Sequence, residues 1–263
     1  MPNDIIIETR DLSMDFGALR ALGRVGLEVP RGRVHSVIGP NGAGKTTFFN
    51  VITGMYAPTE GQVLFKGEDI TGLSPEVTNR KGIAKTFQIT KIFPEMTVLE
   101  NVQVACQSRS PEAGRVRSLW TVPDVREKAA DLLKFFRLDG RLGEHATNLS
   151  HGEQRYLDIC LALATEPELL LLDEPTAGMT PSETREAVQL ILQVVRAKGL
   201  TLLLIEHDMS VVMGISDHIV VLEYGRKIAD GTPQQVRNDD RVIAAYLGVD
   251  EDAVEDARAQ VQP

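Results

Sequence analysis

Short apolar runs broken by glycine and proline fill the first forty residues, with Gly17, Gly23 and Pro30-Arg31-Gly32 as the punctuation. This alternation predicts strands and hairpins over residues 5–38, ending in the buried-type run Val34-His35-Ser36-Val37-Ile38. Residues 47–52 then open a helix, Ala57-Pro58-Thr59-Glu60-Gly61 forms a turn, and residues 62–67 form a strand closed by glycine. From about residue 90 to 160 the spacing becomes helical. Thr97 followed by Glu100 predicts a capping box, and Val125, Ala129, Leu132, Leu133 and Phe136 fall on one helix face. Residues 108–121 are polar and irregular. From 168 to 222 wholly apolar runs (169–172, 202–205, 219–222) alternate with a helix over 182–197 that Gly199 terminates. Apolar strands alternating with helices predict a mostly parallel sheet covered on both faces. The expected fold class is therefore α/β: a mostly parallel core, an antiparallel β portion and a helical insert over about 90–160. One domain is expected over 1–248. The acidic tail 249–263 lacks large apolar residues and is expected to be flexible.

Composition narrows the classes open to such a chain. Its 263 residues are 43% apolar and 25% charged, ordinary for a globular protein with a large core. A formal net charge of −9 argues against nucleic acid as a partner. Cys106 and Cys160 lie far apart and match no metal spacing, so reduced thiols are expected, with Cys160 in the core. Ile5-Ile6-Ile7, followed by Glu8 and Arg10, is too short for a signal peptide. No run approaches the ~20 apolar residues that span a bilayer, so a membrane role is expected to pass through a partner.

The chemistry begins at Gly39-Pro40-Asn41-Gly42-Ala43-Gly44-Lys45-Thr46, a full G-x-x-x-x-G-K-[ST] motif between a predicted strand and a predicted helix. Glycines let successive backbone N–H groups turn toward one anion, and the helix N-terminus adds its positive end. Lys45 is placed to reach the β- and γ-phosphates of a nucleoside triphosphate, and the Thr46 hydroxyl to take a Mg²⁺ position; Thr47 follows in the same turn. A second pair of groups lies at Leu169-Leu170-Leu171-Leu172-Asp173-Glu174-Pro175, where two carboxylates end a buried strand. That is the place for site residues in an open α/β sheet. Asp173 is the candidate Mg²⁺ ligand and Glu174 the candidate general base for the attacking water. A third element, Leu149-Ser150-His151-Gly152-Glu153-Gln154, opens a helix with Ser150 as N-cap and offers another anion site.

With these motifs in this order, the chain from about residue 5 to 248 resembles the ATP-binding subunits of ABC transporters, whose signature reads L-S-G-G-Q. The resemblance implies an ABC ATPase fold, ATP and Mg²⁺ as cofactors, and ATP hydrolysis. It assigns Phe16 to adenine stacking, and Gln88 (in Thr86-Phe87-Gln88) to Mg²⁺, the attacking water and the membrane subunit. His207 would hydrogen-bond the γ-phosphate. Lys45, Gln88, Glu174 and His207 become the catalytic candidates. Ser150, Gly152 and Glu153 would close over the ATP of a second ATPase subunit. Three positions depart from the pattern: His151 replaces a signature glycine, Glu153 stands where glutamine is common, and Thr180 where aspartate is common.

Finer texture resembles the branched-chain amino-acid uptake subgroup: Phe48-Phe49-Asn50-Val51-Ile52-Thr53-Gly54, Phe93-Pro94-Glu95-Met96-Thr97-Val98-Leu99-Glu100-Asn101-Val102, Ala177-Gly178-Met179 and Ala245-Tyr246-Leu247-Gly248. That resemblance implies separate permease subunits, a periplasmic solute-binding protein and a peripheral place on the cytoplasmic face of the inner membrane. A lipopolysaccharide-export ATPase is a look-alike with the same terminal Tyr-Leu-Gly. A soluble ABC protein acting on ribosomes or DNA is a further alternative. The apolar cluster Ile92, Phe93, Met96 and Val98 is the expected docking surface for a membrane subunit.

Overall fold

The computed structural model describes residues 4–86, 91–108 and 123–247. In chain order the elements are β1 (Ile5–Phe16), β2 (Leu19–Pro30), β3 (Val34–Ile38), α1 (Lys45–Ile52), β4 (Glu60–Phe65), β5 (Glu68–Asp69), α2 (Pro75–Lys81) and β6 (Ile83–Lys85). There follow α3 (Val98–Gln107), α4 (Pro123–Phe135), α5 (His151–Ala164), β7 (Leu169–Asp173), α6 (Pro181–Lys198) and β8 (Thr201–Ile205). The chain closes with α7 (Met209–Ile215), β9 (His218–Glu223), β10 (Arg226–Gly231), α8 (Pro233–Arg237) and α9 (Asp240–Leu247). The polar segment 109–122, Gln88 and the acidic tail lie outside the described residues. The chain divides into two compact units, one formed by residues up to Pro75 with those from Thr201 onward, the other by Glu76–Leu200.

In the first unit β1 pairs antiparallel with β2 on one side and β4 on the other, and β4 with β5. This is the expected antiparallel portion. The parallel part sets β3 between β8 and β9, with β10 running antiparallel along β9. A central strand is covered on both faces, which is why His35 and Ser36 are as buried as Val37 and Ile38. Ile38 joins Val212, Ile219, Val221, Val236 and Val242 in one core. In the second unit β6 and β7 are parallel, and α3, α4 and α5 pack on one another as the helical insert. Thr97 and Glu100 form the expected capping box of α3.

Central burial has a measurable cost at His35. Its ring stacks on His218 at 5.1 Å, and His218 in turn meets Asp230. Burial, then the His218 charge, pull the His35 imidazole down to about 4. The unfolded chain therefore binds a proton near pH ~6.5 that the folded chain takes up only near 4. The stability this neutral ring contributes is complete above ~6.5 and is lost as pH falls through the folded value, on the order of 3 kcal/mol in all. Replacing His35 by Leu should flatten that slope. The melting temperature of the variant should drop about 5–10 °C less than wild type between pH 7 and 4.5. Equal drops would show that His35 titrates freely.

Candidate functional site

The phosphate-type loop is built where β3 ends. Gly39 has φ +147°, and a Cβ there would lie 2.0 Å from the carbonyl oxygen of Leu222, so the close approach of the neighbouring strand demands glycine. Gly42 has φ +80° and open space where a side chain would stand, which leaves the face of the loop clear for an anion. Gly44 caps α1 without any side-chain hydrogen bond. The first N–H groups of α1 thus lack the side-chain acceptor that other helix starts in this chain possess, and an anion fits that role. Lys45 is 6% exposed and folds back across the loop, donating to the carbonyls of Gly39 at 2.8 Å and Pro40 at 2.9 Å. Asn41 and Thr46 are exposed, Pro40 and Thr47 half-buried, and Ala43 is buried, its carbonyl accepting from Gly225 N–H at 3.0 Å.

Two further candidates belong to the same unit. Phe16, at the end of β1, is 43% exposed and stands edge-on to Tyr56 at 5.4 Å, an aromatic face held out to solvent. His207 is exposed two residues after β8 ends, its backbone N–H donating to Glu206 Oε2 at 3.2 Å. Asp208 caps α7 by accepting from Ser210 and Val211.

The acid pair belongs to the second unit. All five residues of β7 are buried, so Asp173 is delivered into the interior at the strand's end. Neither of its carboxylate oxygens accepts a hydrogen bond among the described residues. The Lys85 ammonium, at the end of β6 with its side chain largely covered, stands 3.5 Å from Oδ2. Burial pushes the Asp173 carboxyl above the usual range against the opposing pull of Lys85, and pushes Lys85 down against the pull of Asp173. A buried carboxylate with unmet acceptor capacity fits a cation. No cluster of three or more metal-type ligands occurs among the described residues. Glu174 is half-buried and adopts φ +52°. That conformation costs a side-chain-bearing residue on the order of 1–3 kcal/mol. Thr86 braces the strand end: its N–H donates to Leu171 at 2.9 Å, and its hydroxyl accepts from Asp173 N–H at 3.3 Å. Gln88, two residues on, is outside the described residues.

Ser150 is the N-cap of α5, and with Glu153 it forms a reciprocal capping box. Glu153 accepts from Ser150 N–H at 2.8 Å and lies 3.5 Å from Arg141, and these contacts hold its carboxyl below the usual range. Its charge is thereby committed to the helix start. Ser150 and His151 are exposed, and the nearest atom to a Cβ on Gly152 would be Met179 Cε at 4.0 Å. Thr180, one of the three departures, caps α6 in a capping box with Glu183.

The family model described as "ABC transporter" matches residues 22–177, more than half of the chain, and so spans both the loop at 39–46 and the acids at 173–174. The chain belongs to the ABC transporter family. A second model, "Branched-chain amino acid ATP-binding cassette transporter", matches residues 226–252. The high-affinity branched-chain amino acid transport ATP-binding protein LivG of Escherichia coli K12 is 43% identical over 250 residues, 92% of this chain and 98% of LivG. The ADP conformation of an ATP-binding cassette of an ABC transporter superposes with TM-score 0.82 at 35% identity, covering 93% of this chain and 99% of that one. A dimeric cassette in a post-hydrolysis state with ADP and Pi gives TM-score 0.76 at 25% identity, covering 86% and 98%.

As an ABC ATPase, this chain binds and hydrolyses ATP, and its fold is that of the family's cassettes. Two contacts around the motifs escape sequence reasoning. Lys85 stands against Asp173 although 88 positions separate them. Arg155 in α5 reaches the backbone of Asp173 and Glu174.

Proposed function

We propose that the chain is the ATP-hydrolysing subunit that energises uptake of branched-chain amino acids, or of a closely related small solute, through separate permeases. The observation that carries this reading is the 43% identity to LivG over nearly the full length of both chains, joined by the match at 226–252. The same relationship weighs against lipopolysaccharide export and against action on ribosomes or DNA. A solute-binding protein outside the membrane and a peripheral place on its cytoplasmic face belong to the proposal. No helix among the described residues is long and apolar enough to cross a membrane. Uptake of labelled leucine, isoleucine and valine by cells lacking this chain tests it: uptake equal to wild type for all three would refute the substrate class.

Residue roles follow from the chemistry of each position. In the first unit residues 39–47 hold the triphosphate, with Lys45 on the β- and γ-oxygens and the Thr46 hydroxyl on Mg²⁺; Phe16 stacks on adenine and His207 meets the γ-phosphate. In the second unit Asp173 ligates Mg²⁺, Glu174 is the general base, and Gln88 completes the metal and water positions. Mg²⁺ supplies charge neutralisation on the phosphate oxygens. Ser150 and Gly152 serve the ATP of a second ATPase subunit. Support for that arrangement is the exposed Ser150 cap and the dimeric relative bound to ADP and Pi.

The docking cluster separates on burial. Val98 is fully buried and drops out of the surface, whereas Phe93 is 47% and Met96 36% exposed. Buried Asn101 accepts from Phe93 N–H at 2.8 Å and donates to Phe93 O at 3.0 Å, so the backbone is pinned while the ring faces water. A preorganised exposed aromatic suits a helix from a membrane subunit. Phe93→Asp should leave the basal ATPase of the isolated chain within about two-fold while reducing stimulation by reconstituted permeases on the order of ten-fold. Full stimulation in that variant would remove Phe93 from the interface.

A further inference from the structure

Glu174 needs a device that holds its backbone out of the strand conformation. In an extended chain successive carbonyls point to opposite sides. The carbonyls of Asp173 and Glu174 instead converge on a single nitrogen, Arg155 Nη2, at 2.5 and 2.6 Å. The left-handed φ of Glu174 is what allows the convergence, and Pro175 disfavours the ordinary helical alternative for the residue before it. Arg155 is 5% exposed, in the second turn of α5, and Asp158 lies 3.9 Å from its Nη1 to balance the buried charge. Hydrogen bonds from a charged donor in a buried setting are the strong kind.

We propose that Arg155 is a positioning residue for ATP hydrolysis: by gripping the two carbonyls it fixes the turn at Glu174 and so aims the carboxylate at the attacking water. This rests on the reading of Glu174 as general base. It gives the helix that begins at Ser150 a direct mechanical hold on the base, so that whatever moves α5 also moves Glu174.

The test is steady-state ATP hydrolysis by the full chain, with binding of a fluorescent ATP analogue and thermal melting, for Arg155→Gln, Arg155→Lys, Glu174→Gln and the two double variants. Arg155→Gln should lower kcat on the order of 10²-fold, since a small misplacement of a reacting group has that effect, with KM and nucleotide affinity within about two-fold of wild type. Arg155→Lys, which keeps one charged donor, should recover part of the loss. Each double variant should be no slower than Glu174→Gln alone, because a misaimed base cannot be lost twice. Multiplied losses in the doubles, an unchanged kcat, or a parallel loss of ATP affinity would overturn the proposal. Wild-type turnover in Glu174→Gln itself would overturn the base assignment instead. Should Arg155→Gln melt below the assay temperature, Arg155→Lys and its double with Glu174→Gln decide the question by the same comparison.

Discussion

Glu174→Gln should bind ATP with wild-type affinity and hydrolyse it ~10²- to 10⁴-fold more slowly, the range a general base contributes. The substitution keeps the shape of the side chain and removes only its basicity. It leaves untouched the left-handed backbone at Glu174 and the Arg155 contacts that frame it. With hydrolysis blocked, two ATP-loaded chains should stay closed on each other, so the variant should elute as a dimer with ATP and as a monomer with ADP. Turnover at the wild-type rate would exclude Glu174 as the base. Slow turnover without dimer formation would keep the base and remove the pairing of Ser150 with a facing nucleotide.

Lys45→Ala should lose hydrolysis below detection and weaken ATP binding about 10- to 100-fold, the equivalent of one charged hydrogen bond at ~1.5–3 kcal/mol. Lys45 is buried and spans the loop between Gly39 and Pro40, so Ala removes both the phosphate contact and two braces of the loop. Far-ultraviolet dichroism should stay unchanged, because the fold of the first unit rests on β3 and its neighbours and not on this ammonium. Isothermal titration with ATP measures the loss. Undiminished affinity would mean that the Lys45 ammonium stays with its own carbonyls when nucleotide binds.

Much of the fold was legible because its cues are local. A capping box needs two residues three apart, and the one expected at Thr97 formed, while Ser150, expected as an N-cap, caps α5. Buried parallel strands announce themselves as unbroken apolar runs, as at 169–172 and 202–205. Thr180 was legible only in part: it departs from the family's common aspartate, and its hydroxyl completes the helix cap with Glu183. Val98 was misplaced for a related reason. Ile92, Phe93, Met96 and Val98 look alike as an apolar cluster, and only packing decides which of them faces water.

By itself the sequence determined the chemistry on offer: a glycine loop with Lys45 and Thr46, two acids at the end of a buried strand, and a capped helix at Ser150. These depend on residue type and near spacing, which the chain carries in order. Tertiary structure alone decided the charge around Asp173, which Lys85 supplies from a neighbouring strand, and the aim of Glu174, which Arg155 holds through backbone carbonyls. The physical reason is that a carbonyl's direction follows from φ and ψ, and a buried charge's partner from which strands lie side by side. Neither property leaves a periodic trace in residue order.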